Sequence, residues 1–130
     1  MTNEEKDLLI QDLCARLPYG VKCERYGKAY ELVEIDIKRG LVYVFRDDWF
    51  TPTSLPYRIN SDDIRPYLRP MSSMTRDELD LYSRYLDTQR CIGMPILTDL
   101  LDWLNAHYLD YRQLIERGLA LEAPEGMYEN

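Results

Sequence analysis

At 130 residues, with 45% apolar and 30% charged side chains, the chain holds material for one packed domain and is too apolar to stay disordered. Its longest apolar runs, such as LVYVF at 41–45, exclude a membrane span, and the acidic, amphipathic start MTNEEKDLLIQDL lacks the basic start and apolar stretch of a secretory signal. A formal charge of −7 argues against a general binder of phosphate backbones.

That charge is uneven. Residues 91–130 hold 2 basic and 7 acidic side chains, so −5 of the −7 lies in the last third. Three cysteines, Cys14, Cys23 and Cys91, are an odd number without framework spacing. Reduced thiols in a cytoplasm are expected.

Along the chain the hydrophobic period changes twice. Residues 1–20 predict a helix over about 3–17: Thr2 and Glu5 have capping-box spacing, Leu9, Leu13 and Leu17 recur at i+4, and Pro18 and Gly20 stop it. Residues 21–64 switch to strand character. VKCERY and KAYELVEIDI alternate, the latter with Tyr30, Leu32 or Val33, Ile35 and Ile37 near one face. KRG at 38–40 is a turn with Gly40 free to take positive φ; LVYVF is a strand, RDDWFTPTSLP a loop and YRI at 57–59 a last short strand. Together these predict a small, bent antiparallel sheet. An SH3-like barrel is one way to close it.

Residues 65–75, RPYLRPMSSMT, form an extended connector, since Arg65 and Arg69 each precede a proline. Its prolines are four apart, so it is not a PxxP ligand. Tyr67, Leu68 and Met71 are placed to pin sheet to helices. Residues 76–122 are expected to be helical in three pieces. Thr75 and Glu78 cap the first, with Leu79, Tyr82 and Leu86 inward, until Gly93 and Pro95 break it. Thr98 caps the second, with Leu97, Leu100, Leu101, Leu104 and Tyr108 inward. Asp110 caps a short third, stopped by Gly118. The tail 123–130 is expected to be irregular. A sheet followed by helices is the segregated α+β pattern, here in one domain over 1–130.

No phosphate loop, GxSxG, HExxH or Rossmann fingerprint is present. The cysteines and His107 lack metal-ligand spacing, so neither a metal nor a cofactor is expected. His107, the single histidine, lies in LNAHYLD without a paired nucleophile and reads as a helix-end residue bonded to terminal carbonyls. The adjacent carboxylates Asp47/Asp48 and Asp62/Asp63 suit turns and caps better than a catalytic dyad.

The unusual feature is the aromatic content: 11 Tyr, 2 Trp and 2 Phe. Trp49, Phe50, Tyr57 and Tyr67 fall in or beside loops. With Arg58, Arg65 and Arg69 they form a candidate partner-binding surface, because Tyr, Trp and Arg dominate interface hot spots. Their structural alternative is an aromatic lid over the sheet, with the arginines paired to the chain's own aspartates.

Lys28-x-Tyr30-x-Leu32, the run IRPYLRPMSSMT at 64–75 followed by Glu78, and DWLNAHYLDYRQLIERGLALEAPEGMY at 102–128 together resemble a family of small proteins of gut Bacteroides-type bacteria and their prophages or mobile elements. The likeness covers the second half of the chain well and the strand region loosely. It implies a bacterial cytoplasm and an accessory role, and it carries no activity, ligand or site residue onto this chain. The expectation is a non-enzymatic module that binds a protein partner. The alternatives are a nucleic-acid-binding small barrel using Lys22, Arg25, Lys28, Arg58, Arg65 and Arg69, a DNA mimic built on the acidic last third, and an enzyme using His107. Nucleic acid is disfavoured by charge, and no membrane partner is expected.

Overall fold

The computed structural model of the chain describes residues 2–46, 53–59, 64–92 and 98–128. Helix α1 (Asn3–Arg16) opens on the expected capping box: Thr2 Oγ1 accepts from the Glu5 N–H, and Glu5 Oε1 accepts from the Thr2 N–H, both at 3.1 Å. Leu17–Tyr19 tighten into a 3-10 turn. Strands β1 (Lys22–Arg25), β2 (Lys28–Asp36), β3 (Leu41–Arg46) and β4 (Thr53–Arg58) follow as an antiparallel meander. Gly40 closes the β2–β3 turn at φ +67°. β4 begins inside the stretch expected to be loop, because Thr53–Tyr57 pair with Val42–Arg46.

The uneven period of β2 has a structural cause. Tyr30 and Leu32 face the core at even positions, Ile35 at an odd one. A bulge between the Leu32↔Val44 and Glu34↔Tyr43 pairs supplies the one-residue slip and leaves Val33 42% exposed. Ile37 lies beyond the strand and is 62% exposed rather than inward.

The connector is partly sheet. Strand β5 (Arg65–Leu68) pairs antiparallel with β1, and β6 (Leu121–Glu122), from the stretch expected to be helical, pairs parallel with β5. The order is β4-β3-β2-β1-β5-β6. The α+β class holds, but the SH3-like barrel does not close. The outer edge of β5 is taken by β6 and by a bridge from Arg69 to Leu109, which leaves β4 no partner there. The sheet is still strongly bent: Arg25 of β1 sets its guanidinium 5.2 Å from the ring centre of Tyr57 in β4, three positions away in the sheet.

Among the described residues two helices, not three, follow the sheet: α2 (Arg76–Ile92) and α3 (Thr98–Ala106). Asp110 does cap, accepting from the N–H groups of Leu114 and Ile115 at 2.9 Å each, and Gly118 stops the segment at φ +75°. Between them, however, Gln113 takes φ +61°, which breaks the helical path, and residues 111–112 and 114–118 are turns. The break at Gly93 and Pro95, and Leu97, lie outside the described residues.

Two apolar clusters result. The first joins Leu9 and Leu13 of α1 to Val21, Cys23, Leu32, Val42, Val44, Ile59, Ile64 and Leu68 of the sheet region and to Leu114, Leu119 and Ala120. The second gathers Leu100, Leu104 and Leu109 with Met71, Met74, Tyr82, Tyr85, Leu86, Trp103 and Tyr111. Leu79, expected inward, is 49% exposed. No helix of the described residues is long and apolar enough to cross a membrane.

Candidate functional site

Strand alternation sorts the candidate surface residues between the two faces of the sheet. Val42 and Val44 point to the core, so Leu41, Tyr43 and Phe45 point out. Tyr57 lies opposite Val42 and packs against the first cluster, whereas Arg58 lies opposite Leu41 and faces outward. In β5, Pro66 and Leu68 are buried, which turns Arg65 and Tyr67 outward. Tyr57 and Tyr67 are therefore on opposite faces. Arg58 and Arg65 share the outer face but sit on strands four positions apart in the sheet. Trp49 and Phe50 lie outside the described residues, as do Asp47, Asp48, Asp62 and Asp63.

Arg69 is paired with a glutamate rather than with an aspartate. It forms a two-pronged ion pair with Glu78, at 2.9 and 2.7 Å, and donates to the carbonyls of Ser73 at 3.2 Å and His107 at 3.4 Å. Glu78 also completes the α2 capping box, accepting from the Thr75 N–H at 2.8 Å while its own N–H donates to Thr75 Oγ1 at 3.2 Å. The Arg69 guanidinium, with the Thr75 N–H behind it, holds the Glu78 carboxyl at about 2 against burial. One arginine thus fastens β5 to the start of α2 and the end of α3.

The outer face carries a row the sequence did not single out: Leu41, Tyr43 and Phe45 of β3, with Val33 at the bulge and Pro56 in β4 beside Tyr43. Phe45 is 37% exposed, and Ala29, Glu31, Glu34, Pro56 and Arg58 around it are exposed too. The available signal was that LVYVF is apolar at every position. A strand with one face in the core needs only every second residue apolar. The charges framing this row alternate in sign: Lys22, Arg58 and Arg65 against Glu24, Glu31 and Glu34. Of the other cations offered for nucleic acid, Arg25 lies against Tyr26 and Tyr57, and Arg69 is bound by Glu78.

A cleft of about 590 Å³ opens on another side, between the Arg69–Glu78 turn, the end of α3 and the C-terminal segment. Its walls include Arg69, Ser73, Thr75, Glu78, His107, Tyr108, Glu122, Pro124, Glu125 and Tyr128. α3 ends short of its predicted reach because Tyr108 takes φ +59°, the left-handed conformation usual at a helix C-cap. The Tyr108 ring stacks on Tyr128 with centroids 3.7 Å apart, and its hydroxyl donates to the Tyr19 carbonyl. His107 Nδ1 donates to the Trp103 carbonyl at 2.9 Å, the helix-end contact, and its ring packs 4.7 Å from the Trp103 ring. The cleft includes no thiol and neither Asp102 nor Asp110, and the Ser73 hydroxyl donates to the Pro70 carbonyl at 2.7 Å. The carboxylates that share the cleft with His107 are Glu78, Glu122 and Glu125.

Tyr128 does more than line the cleft. Its hydroxyl accepts from the Lys22 N–H at 2.9 Å and donates to the Tyr67 carbonyl at 2.8 Å. β1 and β5 pair only at Cys23↔Pro66 and Glu24↔Arg65. Beyond that pair the strands part, and the hydroxyl bridges them. Burial pushes its ionisation well above the ordinary tyrosine range. The tail that looked irregular is thus fastened into the sheet.

Composition hides one further cluster. Asp12 and Arg16, both without solvent exposure, lie on the buried face of α1. Cys23, next to them, is fully buried, which pushes its thiol up to about 12, with the Asp12 charge adding to the effect. It is inert packing rather than a nucleophile. No group of three or more metal-ligating side chains occurs among the described residues.

Comparison with known proteins leaves the reading to this geometry: no family model, no curated protein and no solved structure matches the chain.

Proposed function

We propose that the protein is a non-enzymatic binding module whose partner is another protein, seated on the outer face of the sheet. The observation that carries the reading is the row Leu41, Tyr43 and Phe45, continued by Val33 and Pro56 and framed by charges of both signs. An aromatic centre with a polar rim is the anatomy of a protein interface. The interleaved carboxylates Glu24, Glu31 and Glu34 would repel a phosphate backbone, so they favour a protein over a nucleic acid. The fitting partner presents an apolar patch with its own mixed-sign rim. Arg58 at one end of the face and Arg65 with Tyr67 at the other would set its orientation.

A photo-crosslinking side chain at position 45, compared with one at the exposed position 79 of α2, tests this in cells that carry the natural partner. A defined protein adduct at 45, absent at 79 and lost on adding Val33→Asp, is expected. The same adducts at both positions, or adducts that survive Val33→Asp, refute the surface.

A further inference from the structure

The cleft beside the C-terminal segment is separate from the outer sheet face, and its side-chain hydrogen-bonding capacity leans to acceptors. Four N–H groups of Arg69 and the hydroxyls of Ser73, Tyr108 and Tyr128 all donate to groups of the chain itself. His107 Nδ1 donates to the Trp103 carbonyl, and in the neutral imidazole this makes Nε2 an acceptor. What remains for a ligand is the Thr75 hydroxyl proton and a larger acceptor capacity: His107 Nε2 and the exposed carboxylates Glu122 and Glu125. The one cation of the lining, Arg69, is already neutralised by Glu78. The volume of about 590 Å³ falls within the range of small-ligand sites.

We propose that this cleft binds an organic cation, a guanidinium or primary ammonium group, held by Glu122, Glu125 and His107 Nε2. An anion would meet two uncompensated carboxylates against one hydroxyl donor, that of Thr75. A neutral apolar ligand would bury those carboxylates without a partner, at a cost that disfavours it. A donor-rich cation answers both conditions. It can come from a side chain of a partner protein or from a free diamine-type molecule, and the cleft chemistry is the same for each.

The test uses the full chain and the His107 and Tyr128 ring resonances, with three probes: N-acetyl-arginine methylamide, agmatine and N-acetyl-citrulline methylamide. The arginine probe carries a peptide side chain, agmatine is the free amine, and citrulline is the neutral isostere. A saturable shift with at least one cation, none with citrulline, and about threefold to tenfold weaker binding in Glu122→Gln/Glu125→Gln are expected, as for partly exposed charge pairs. Stronger binding of the arginine probe assigns the cation to a protein, and stronger binding of agmatine to a free metabolite. Both carboxylates are exposed, so the double variant should fold as wild type, which its unshifted core resonances will show. No saturable shift with either cation, equal shifts with citrulline, or undiminished binding in the double variant overturns the proposal. None of these outcomes bears on the outer sheet face.

Discussion

Asp12 in α1 holds Arg112, one hundred positions later, at 2.7 Å. The same carboxylate takes two hydrogen bonds from Arg16, at 3.0 and 3.1 Å, and Arg16 donates onward to the Leu109 carbonyl at 2.7 Å. Both guanidiniums lie over the Tyr111 ring, 5.4 and 4.6 Å from its centre, and Tyr111 is anchored by its hydroxyl on Asn105 Oδ1. This network is where α1 and the segment after α3 meet. Removing the shared acceptor leaves two cations facing each other, one of them fully buried. Asp12→Ala should cost about 3 to 5 kcal/mol. Arg16→Met should cost less, because its stem packing survives and Asp12 keeps Arg112. Chemical denaturation of both variants checks the order, and a costlier Arg16→Met would show that the Leu109 contact outweighs the ion pairs.

Tyr128→Phe isolates the hydroxyl bridge. The ring keeps its stack on Tyr108, but the Lys22 N–H and the Tyr67 carbonyl lose their common partner in a part-buried site. A loss of about 1 to 3 kcal/mol is expected. Amide exchange of Lys22 should accelerate more than that of Tyr30, which pairs inside the β1–β2 ladder. If Lys22 stays as protected as before, the strands close directly and the hydroxyl is dispensable.

The legible parts of the fold were local. Capping boxes at Thr2 and Thr75 depend on residues three apart, and both formed. Gly40 and Gly118 took the positive φ their turns required. What the sequence concealed depends on residues far apart. β5 and β6 are strands because each finds an edge, and no property of RPYL or Leu121–Glu122 alone reveals that. The Asp12–Arg16 pair reads as an ordinary i,i+4 surface pair until Leu109 and Arg112 close over it. Tyr108, at positive φ without being glycine, is held by distant contacts with Arg69, Tyr19 and Tyr128, whereas Gln113, also at positive φ, is exposed and bonded to Asp110 and Arg117 nearby. The cleft could not be read in advance, since its walls come from three separate stretches of chain.

The β1–β2 turn is strained at a solvent-exposed aromatic. Tyr26 sits at φ +54°, followed by Gly27 at +75°, the two-residue turn that favours Asn-Gly. Tyr26 is 75% exposed, and its hydroxyl accepts from Arg25 at 3.1 Å with the guanidinium 4.3 Å from its ring centre. Relief of the left-handed strain should exceed the loss of an exposed cation–ring contact. Tyr26→Asn is therefore expected to stabilise the fold by about 0.5 to 1 kcal/mol. A melting temperature below that of wild type would show that the Arg25 contact is the larger effect.

Acid should weaken the Arg69–Glu78 pair. The Glu78 carboxyl ionises at about 2 in the folded chain against 4.5 for a free glutamate, chiefly through the Arg69 hydrogen bonds. Its pKa is depressed on folding, so its stabilising effect is complete above about pH 4.5 and disappears as pH falls from there to about 2. The side chain is only 15% exposed, so solvent screens the pair weakly. Glu78→Gln keeps the shape but loses the charge. At pH 7 it should be less stable than wild type by about 2 to 3 kcal/mol, and the gap should close as the pH approaches 2. Urea denaturation at several pH values between 2 and 7 measures that gap. A gap that is constant across this range would mean that the carboxylate contributes by packing and capping alone. Because Arg69 also holds Ser73 and His107, the acid-sensitive step should loosen the α2 start and the α3 end before the sheet. The His107 and Ser73 amide resonances should therefore broaden at a higher pH than those of Val42 and Val44.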